Sequence, residues 1–208
     1  MTRLALALVL AAITAGAAAV TVTAPVPVPA PAEWDFHVSL DGRPIGEHRF
    51  SLGALDGGER TLRSEAEFAV KILGITAYRY RHRDTEQWQG DCLQALTSTT
   101  DDDGKHSHVS VDHDGVLGEG CLMSFAYWNP AILTQTRLFN AQTGRIETVR
   151  VQPAGGGTLA VHGAPVTARR YRIVGAAPPI DVWYAPNGDW IGLDAVVAGG
   201  RKLSYRLP

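Results

Sequence analysis

Two cysteines and one run of alternating ionisable residues carry most of the chemistry this sequence could perform. Cys92 and Cys121 are its only cysteines. A lone pair can form a disulfide, supply half of a zinc site, or leave one thiol as a nucleophile. Zinc needs two further ligands, and none stands nearby at a standard spacing. His82, Asp84 and Glu86 recur at every second position, so on a strand they share one face. A histidine beside carboxylates suits general acid–base catalysis, and equally suits a buried histidine with a structural hydrogen bond. Catalysis would also need a nucleophile, and Ser124 in Met123-Ser124-Phe125 lacks the flanking glycines of a nucleophile elbow.

The remaining candidates are weaker. His106 and His108 form an H-x-H pair that could hold a metal, with Asp112, His113 and Asp114 beyond it. No third ligand is placed by spacing, which favours a solvated polar strand end. Asp101-Asp102-Asp103-Gly104 lacks the alternation and the closing glutamate of a calcium loop. No G-x-S-x-G, H-E-x-x-H or phosphate-loop pattern occurs. The residues point to no metal, no cofactor and no named reaction.

The start of the chain indicates the compartment. Met1-Thr2-Arg3 is followed by an apolar run from Leu4 to Ile13 and by the small residues Ala15 to Ala19, the three parts of a secretory signal peptide. Ala17-Ala18-Ala19 is the nearer cleavage site and Ala30-Pro31-Ala32 the more distant one. An uncleaved anchor is the competing reading, but alanine is weakly apolar and no basic cluster follows Val22. There is no lipoprotein cysteine. Residues 1–19 are thus expected to be a leader, 20–32 a linker, and 33–208 one β domain. Alternate prolines from Pro25 to Pro31 favour an extended polyproline spacer. Arg3 is the only charge in the leader and linker, so the remainder carries 18 Lys+Arg against 21 Asp+Glu, a net charge of −3. A mildly acidic exported domain is a poor partner for nucleic acid or anionic membranes. An oxidising compartment favours a Cys92–Cys121 disulfide. It would close a loop that the chain-entropy model values at roughly 3–4 kcal/mol.

Alternation places these residues on strands. Trp34, Phe36, Val38 and Leu40 alternate with polar residues, and glycine turns recur about every ten residues thereafter. Leu62, Ser64, Ala66, Phe68, Val70 and Ile72 face one way, and Arg63, Glu65, Glu67 and Lys71 the other. The returning strand sets Tyr78, Tyr80 and His82 against Arg79, Arg81 and Arg83. Faces must match across a sheet, so a three-residue loop Leu73-Gly74-Ile75 is expected, with Glu67 opposite Arg81 and Glu65 opposite Arg83. Those ion pairs account for the arginine stripe without an anion groove. Cys121 to Pro130 contains Phe125, Tyr127 and Trp128 and is expected to plug the β core, stapled to it through Cys92. Asn129 should cap a short helix that starts at Pro130, with Ile132, Leu133 and Thr136 inward. Another hairpin should begin after Gly155-Gly156-Gly157, at Thr158. The whole reads as all-β: a curved antiparallel meander or incomplete barrel with one short helix.

The order of motifs resembles a family of exported proteobacterial proteins called domain of unknown function 6134. The matching pieces include Trp34 to Gly42, Tyr78 to Arg83, Trp88 to Leu93, Cys121 to Pro130, Ala168 to Arg172, Asp181 to Tyr184 and Gly199-Gly200-Arg201. The segment Val109 to Gly120 is shorter than the family's usual one. The resemblance implies an exported β fold and no reaction. A looser likeness, carried by the closing hairpins, is to periplasmic meander proteins such as the unclosed barrels that carry lipoproteins.

Three functions fit. The first is non-catalytic binding or carriage of an apolar or lipid-like ligand, in a pocket lined by Tyr78, Tyr80, His82, Phe125, Tyr127, Trp128 and Trp183, with its mouth at the Trp128-Asn129-Pro130 corner. The same aromatics could instead fill a solid core. The second is a scaffolding role with an envelope protein partner, and the third an enzyme using His82.

Overall fold

The computed structural model describes residues 32–112, 115, 120–175 and 178–208. The leader, the linker up to residue 31, His113 and Asp114 lie outside them. Six long antiparallel strands come first: β1 (Ala32–Leu40), β2 (Arg43–Leu52), β3 (Glu59–Ile72), β4 (Ile75–Gln89), β5 (Cys92–Asp102) and β6 (Lys105–Asp112). A compact insertion follows, with β7 (Met123–Ser124), a 3-10 helix (Pro130–Thr134), β8 (Arg137–Asn140) and β9 (Arg145–Thr148). The chain ends in β10 (Arg150–Val161), β11 (Ala164–Val174), β12 (Ile180–Tyr184), β13 (Trp190–Val197) and β14 (Arg201–Arg206). Pairing of β14 with β1 joins the two runs into one eleven-stranded sheet, ordered β10-β11-β12-β13-β14-β1-β2-β3-β4-β5-β6. The sheet is curved and unclosed, as the alternation pattern predicts.

The insertion sits across the inner face and ties the two halves of the sheet together. Cys121 is bonded to Cys92 with their Cα atoms 4.8 Å apart, and Leu93 N donates to Leu122 O at 2.8 Å. Ser98 Oγ on β5 donates to Ala141 O at 2.6 Å, and Tyr184 Oη on β12 donates to Tyr127 O at 2.7 Å. The expected plug is therefore real. Its small sheet contains one parallel pair, β7 with β8, unlike the antiparallel remainder. Parallel neighbours need a crossover of about a dozen residues, and the segment with the 3-10 helix supplies it. Asn129 Oδ1 accepts from Ala131 N at 3.0 Å to cap that helix. Ile132 is buried, but Thr136 points to solvent rather than inward.

Trp190 anchors the core. Its ring centroid lies 4.4 Å from Phe36, 5.0 Å from Phe50 and 6.1 Å from Trp34. Gly46 lets this face form. It sits at φ 148° beside a bulge in the β1–β2 ladder, and a Cβ there would overlap the Glu67 carbonyl. His48 and Phe50 reach the inner face from the strand beyond it.

Two expectations need correction. The β3–β4 hairpin does pair Glu67 with Arg81, Glu65 with Arg83 and Phe68 with Tyr80. Its loop, however, has two residues, Leu73 (φ 51°) and Gly74 (φ 83°). A bulge opposite Val70 and Lys71 skips Ala77 and restores the faces. Nor does a hairpin start after the glycine triplet, because β10 runs through it from Arg150. These glycines bend the strand at a bulge between Pro153 and Gly156, where a Cβ on Gly156 would lie 2.7 Å from Ala168 O.

Candidate functional site

Strand β4 turns Tyr80, His82, Asp84, Glu86 and Trp88 to the inner face, and the middle three form a buried polar column. His82 Nδ1 is 2.9 Å from Thr100 Oγ1, and its Nε2 faces Asp84 Oδ2 at 3.4 Å. Trp88 Nε1 donates to Glu86 Oε2 at 2.9 Å. From β2, His48 Nε2 lies 2.8 Å from Ser64 Oγ and Nδ1 lies 3.3 Å from Tyr205 Oη. Burial holds the His48 imidazole at a pKa of about 3, with His82 adding to the effect, so it stays neutral. Burial, then the charge of Asp84, raises the Glu86 carboxyl well above the usual range. Ser124 on the plug works against that rise, yet its Oγ makes no hydrogen bond of acceptable geometry. Asp84 Oδ1 also has no partner within the protein. Its side chain is 9% exposed.

Between this column and the plug lies a half-enclosed cleft of about 320 Å³. One wall is polar: His48, Ser64, His82, Asp84 and Glu86, with Ser124 and Glu147 from the plug. The opposite wall is apolar, built from Ile180 on β12, Leu193, Ala195 and Val197 on β13, and Leu203 on β14. Phe50, Phe125, Tyr127 and Trp190 line it between these walls. A larger concavity of about 600 Å³ lies on the outer face of β2–β6. Its charges pair with one another: Arg81 with Glu67 at 3.0 Å, Arg83 with Glu65 at 3.3 Å, and Arg49 with Glu47. Those pairs leave little attraction for a ligand. Among the described residues no cluster of three or more His, Cys, Asp or Glu could hold a metal.

A family model described as "Domain of unknown function (DUF6134)" matches residues 36–208. The chain belongs to the DUF6134 family. A crystal structure of a β-barrel-like protein of domain of unknown function DUF1849, from Brucella abortus, is similar to it with a TM-score of 0.56 at 11% identity. The likeness covers 86% of this chain and 96% of that one, and it shows a shared fold. No curated protein matches the chain.

In this DUF6134 domain, His82, Phe125 and Tyr127 come together at the cleft. Tyr80 stands just behind it, its hydroxyl accepting from Gln142 Nε2 at 2.5 Å. The other three ligand-binding candidates lie elsewhere. Tyr78 is out on the hairpin, bonded to Asp102 at 2.7 Å. Trp128 packs edge-on against Trp88 with centroids 5.4 Å apart, beneath Arg60. Trp183 faces the opposite side of the sheet, donating to Asp194 at 2.9 Å with Arg170 over its ring. The Trp128-Asn129-Pro130 corner, expected to form the mouth, is not among the residues that line the cleft. His48, Ser64, Glu147 and Tyr205 also line the cleft, and no sequence motif marks them. Alternation of His48 with Phe50 on β2 was the available signal for the first; the others need the register.

Proposed function

We propose that this domain binds a small amphipathic molecule in the inner cleft and acts as a carrier in the cell envelope. One observation carries the reading: a half-enclosed cleft has one apolar wall and one buried polar wall, and the polar wall holds two groups without partners. A buried polar atom left unsatisfied costs about 1–3 kcal/mol, so Asp84 Oδ1 and Ser124 Oγ favour a guest that supplies hydrogen bonds. The volume is at the small end of ligand pockets. His82 adds to the polar wall, its ring set between Thr100 at 2.9 Å and Asp84 at 3.4 Å.

Tryptophan fluorescence tests the proposal directly, because Trp190 lines the cleft. Medium-chain amphiphiles, titrated below their aggregation concentrations, should give a saturable change. Ala195→Trp, which fills the apolar wall, should abolish binding while the circular dichroism spectrum is retained. Failure of every amphiphile to bind, or binding indifferent to Ala195→Trp, would sink the reading.

A second reading has its own observation. The β3–β4 tip exposes Ile72, Leu73 and Ile75, Leu73 at 98%, and exposed apolar residues of this kind suit docking to an envelope protein. Leu73→Asp should then remove a partner that co-purifies with the native chain.

A further inference from the structure

We propose that the head group the cleft accepts is a protonated amine, so that its ligand is a small organic cation with an apolar tail. This rests on the cleft reading above and adds the sign of the charge. Three carboxylic acids line the cleft, Asp84 and Glu86 on β4 and Glu147 on β9, and no lysine or arginine is among its described lining residues. The other titratable groups facing it are His48 on β2, His82 on β4, Tyr127 on the plug and Tyr205 on β14. None of these is a fixed cation, and buried His48 is neutral.

A carboxylate head would bring one more negative group beside acids that already repel one another. An ammonium is attracted to the charged ones, and it favours ionisation of Glu86 as well. The two orphaned atoms agree with that sign. Asp84 Oδ1 can only accept when ionised, and Ser124 Oγ has lone pairs free. A primary ammonium carries N–H donors for both. Phe50, Phe125, Tyr127 and Trp190 surround the same space, and aromatic faces stabilise a desolvated cation. The arginines of β4 offer the cleft no counter-charge, since Arg81 and Arg83 lie on the outer face with their glutamates.

Entry of a cation also changes the proton balance of the column. Burial and Asp84 keep a proton on Glu86 near neutral pH. An ammonium nearby favours the ionised form, so binding should expel that proton into solvent. A neutral or anionic guest has no such effect.

The test is calorimetric titration of the intact domain at pH 7 with decylamine, 1-decanol and decanoate, each below aggregation, in two buffers of different ionisation enthalpy. The amine should bind at least roughly tenfold more tightly than the alcohol, with decanoate weakest, and only the amine should show a buffer-dependent enthalpy that signals proton release. Glu86→Gln, which keeps an acceptor for Trp88, should remove the proton release. Asp84→Asn should reduce the preference for amine over alcohol by roughly tenfold, and if it does not fold, Glu147→Gln serves the same comparison. If the alcohol or the acid binds as well as the amine and Ala195→Trp blocks it, the cleft reading stands and the cationic head is refuted. If the amine's advantage survives both Glu86→Gln and the second substitution, the charge argument is likewise refuted. If nothing binds, both readings fall.

Discussion

Replacing Glu86 by glutamine should reshape the pH dependence of stability, because two buried groups of the cleft's polar wall, Glu86 and His48, drive it in opposite directions. Glu86 is raised from an ordinary 4.5 to about 8, so between those values the folded state holds a proton that the unfolded chain has released. Its contribution is fully present below pH 4.5 and is lost as pH rises toward 8. His48 is lowered from 6.5 to about 3, so the unfolded chain takes up the extra proton there. Its contribution is present above pH 6.5 and is lost as pH falls toward 3. Each slope is about 1.4 kcal/mol per pH unit. They cancel between pH 4.5 and 6.5, which leaves a plateau. Above 6.5 the His48 slope has ended and that of Glu86 continues, so about 2 kcal/mol should be lost by pH 8. In Glu86→Gln the alkaline fall should vanish, while stability should climb from pH 4.5 to 6.5 under His48 alone. Glutamine Oε1 can still accept from Trp88 Nε1, so the packing is kept. Urea unfolding at half-unit pH steps, monitored by fluorescence and circular dichroism, measures both profiles. A wild-type curve that does not fall between pH 6.5 and 8, or a variant that falls equally, would refute the reasoning.

Denatured, unreduced protein should show no titratable thiol, and replacing both cysteines with serine should cost roughly 3–4 kcal/mol in chemical unfolding. Asp194→Ala should be among the most damaging single changes, near 3–5 kcal/mol by the same assay. It strips the partner from Arg206 at 2.8 Å, Ser204 at 2.7 Å and Trp183 at 2.9 Å together. By contrast, a double-mutant cycle on the exposed Glu67–Arg81 pair should return under about 1 kcal/mol and shrink further in salt.

Much of this was readable from local patterns. The period-two alternation of Trp34 to Leu40 and of Arg79 to His82 determines which side chains go inward, because a strand sends neighbours to opposite faces. Two cysteines admit one intramolecular bond, and Asn129-Pro130 specifies where a short helix begins. Even the meeting of His82, Asp84 and Glu86 follows from spacing alone. What alternation could not supply was the local irregularity. A bulge at Ala77 let a two-residue turn do what a three-residue loop was expected to do, and the glycine triplet bent β10 where a turn was expected. Each depends on backbone contacts with a partner strand that is remote or unspecified in the sequence. The walls of the cleft are a tertiary matter too. Tyr205 and His48 meet across 157 positions only because β14 pairs with β1, and Trp183 leaves the cleft because its strand turns that face outward. An aromatic residue reads the same in a sequence whether it lines a cavity or the far side of the sheet; only the strand pairing and the curvature of the sheet decide which.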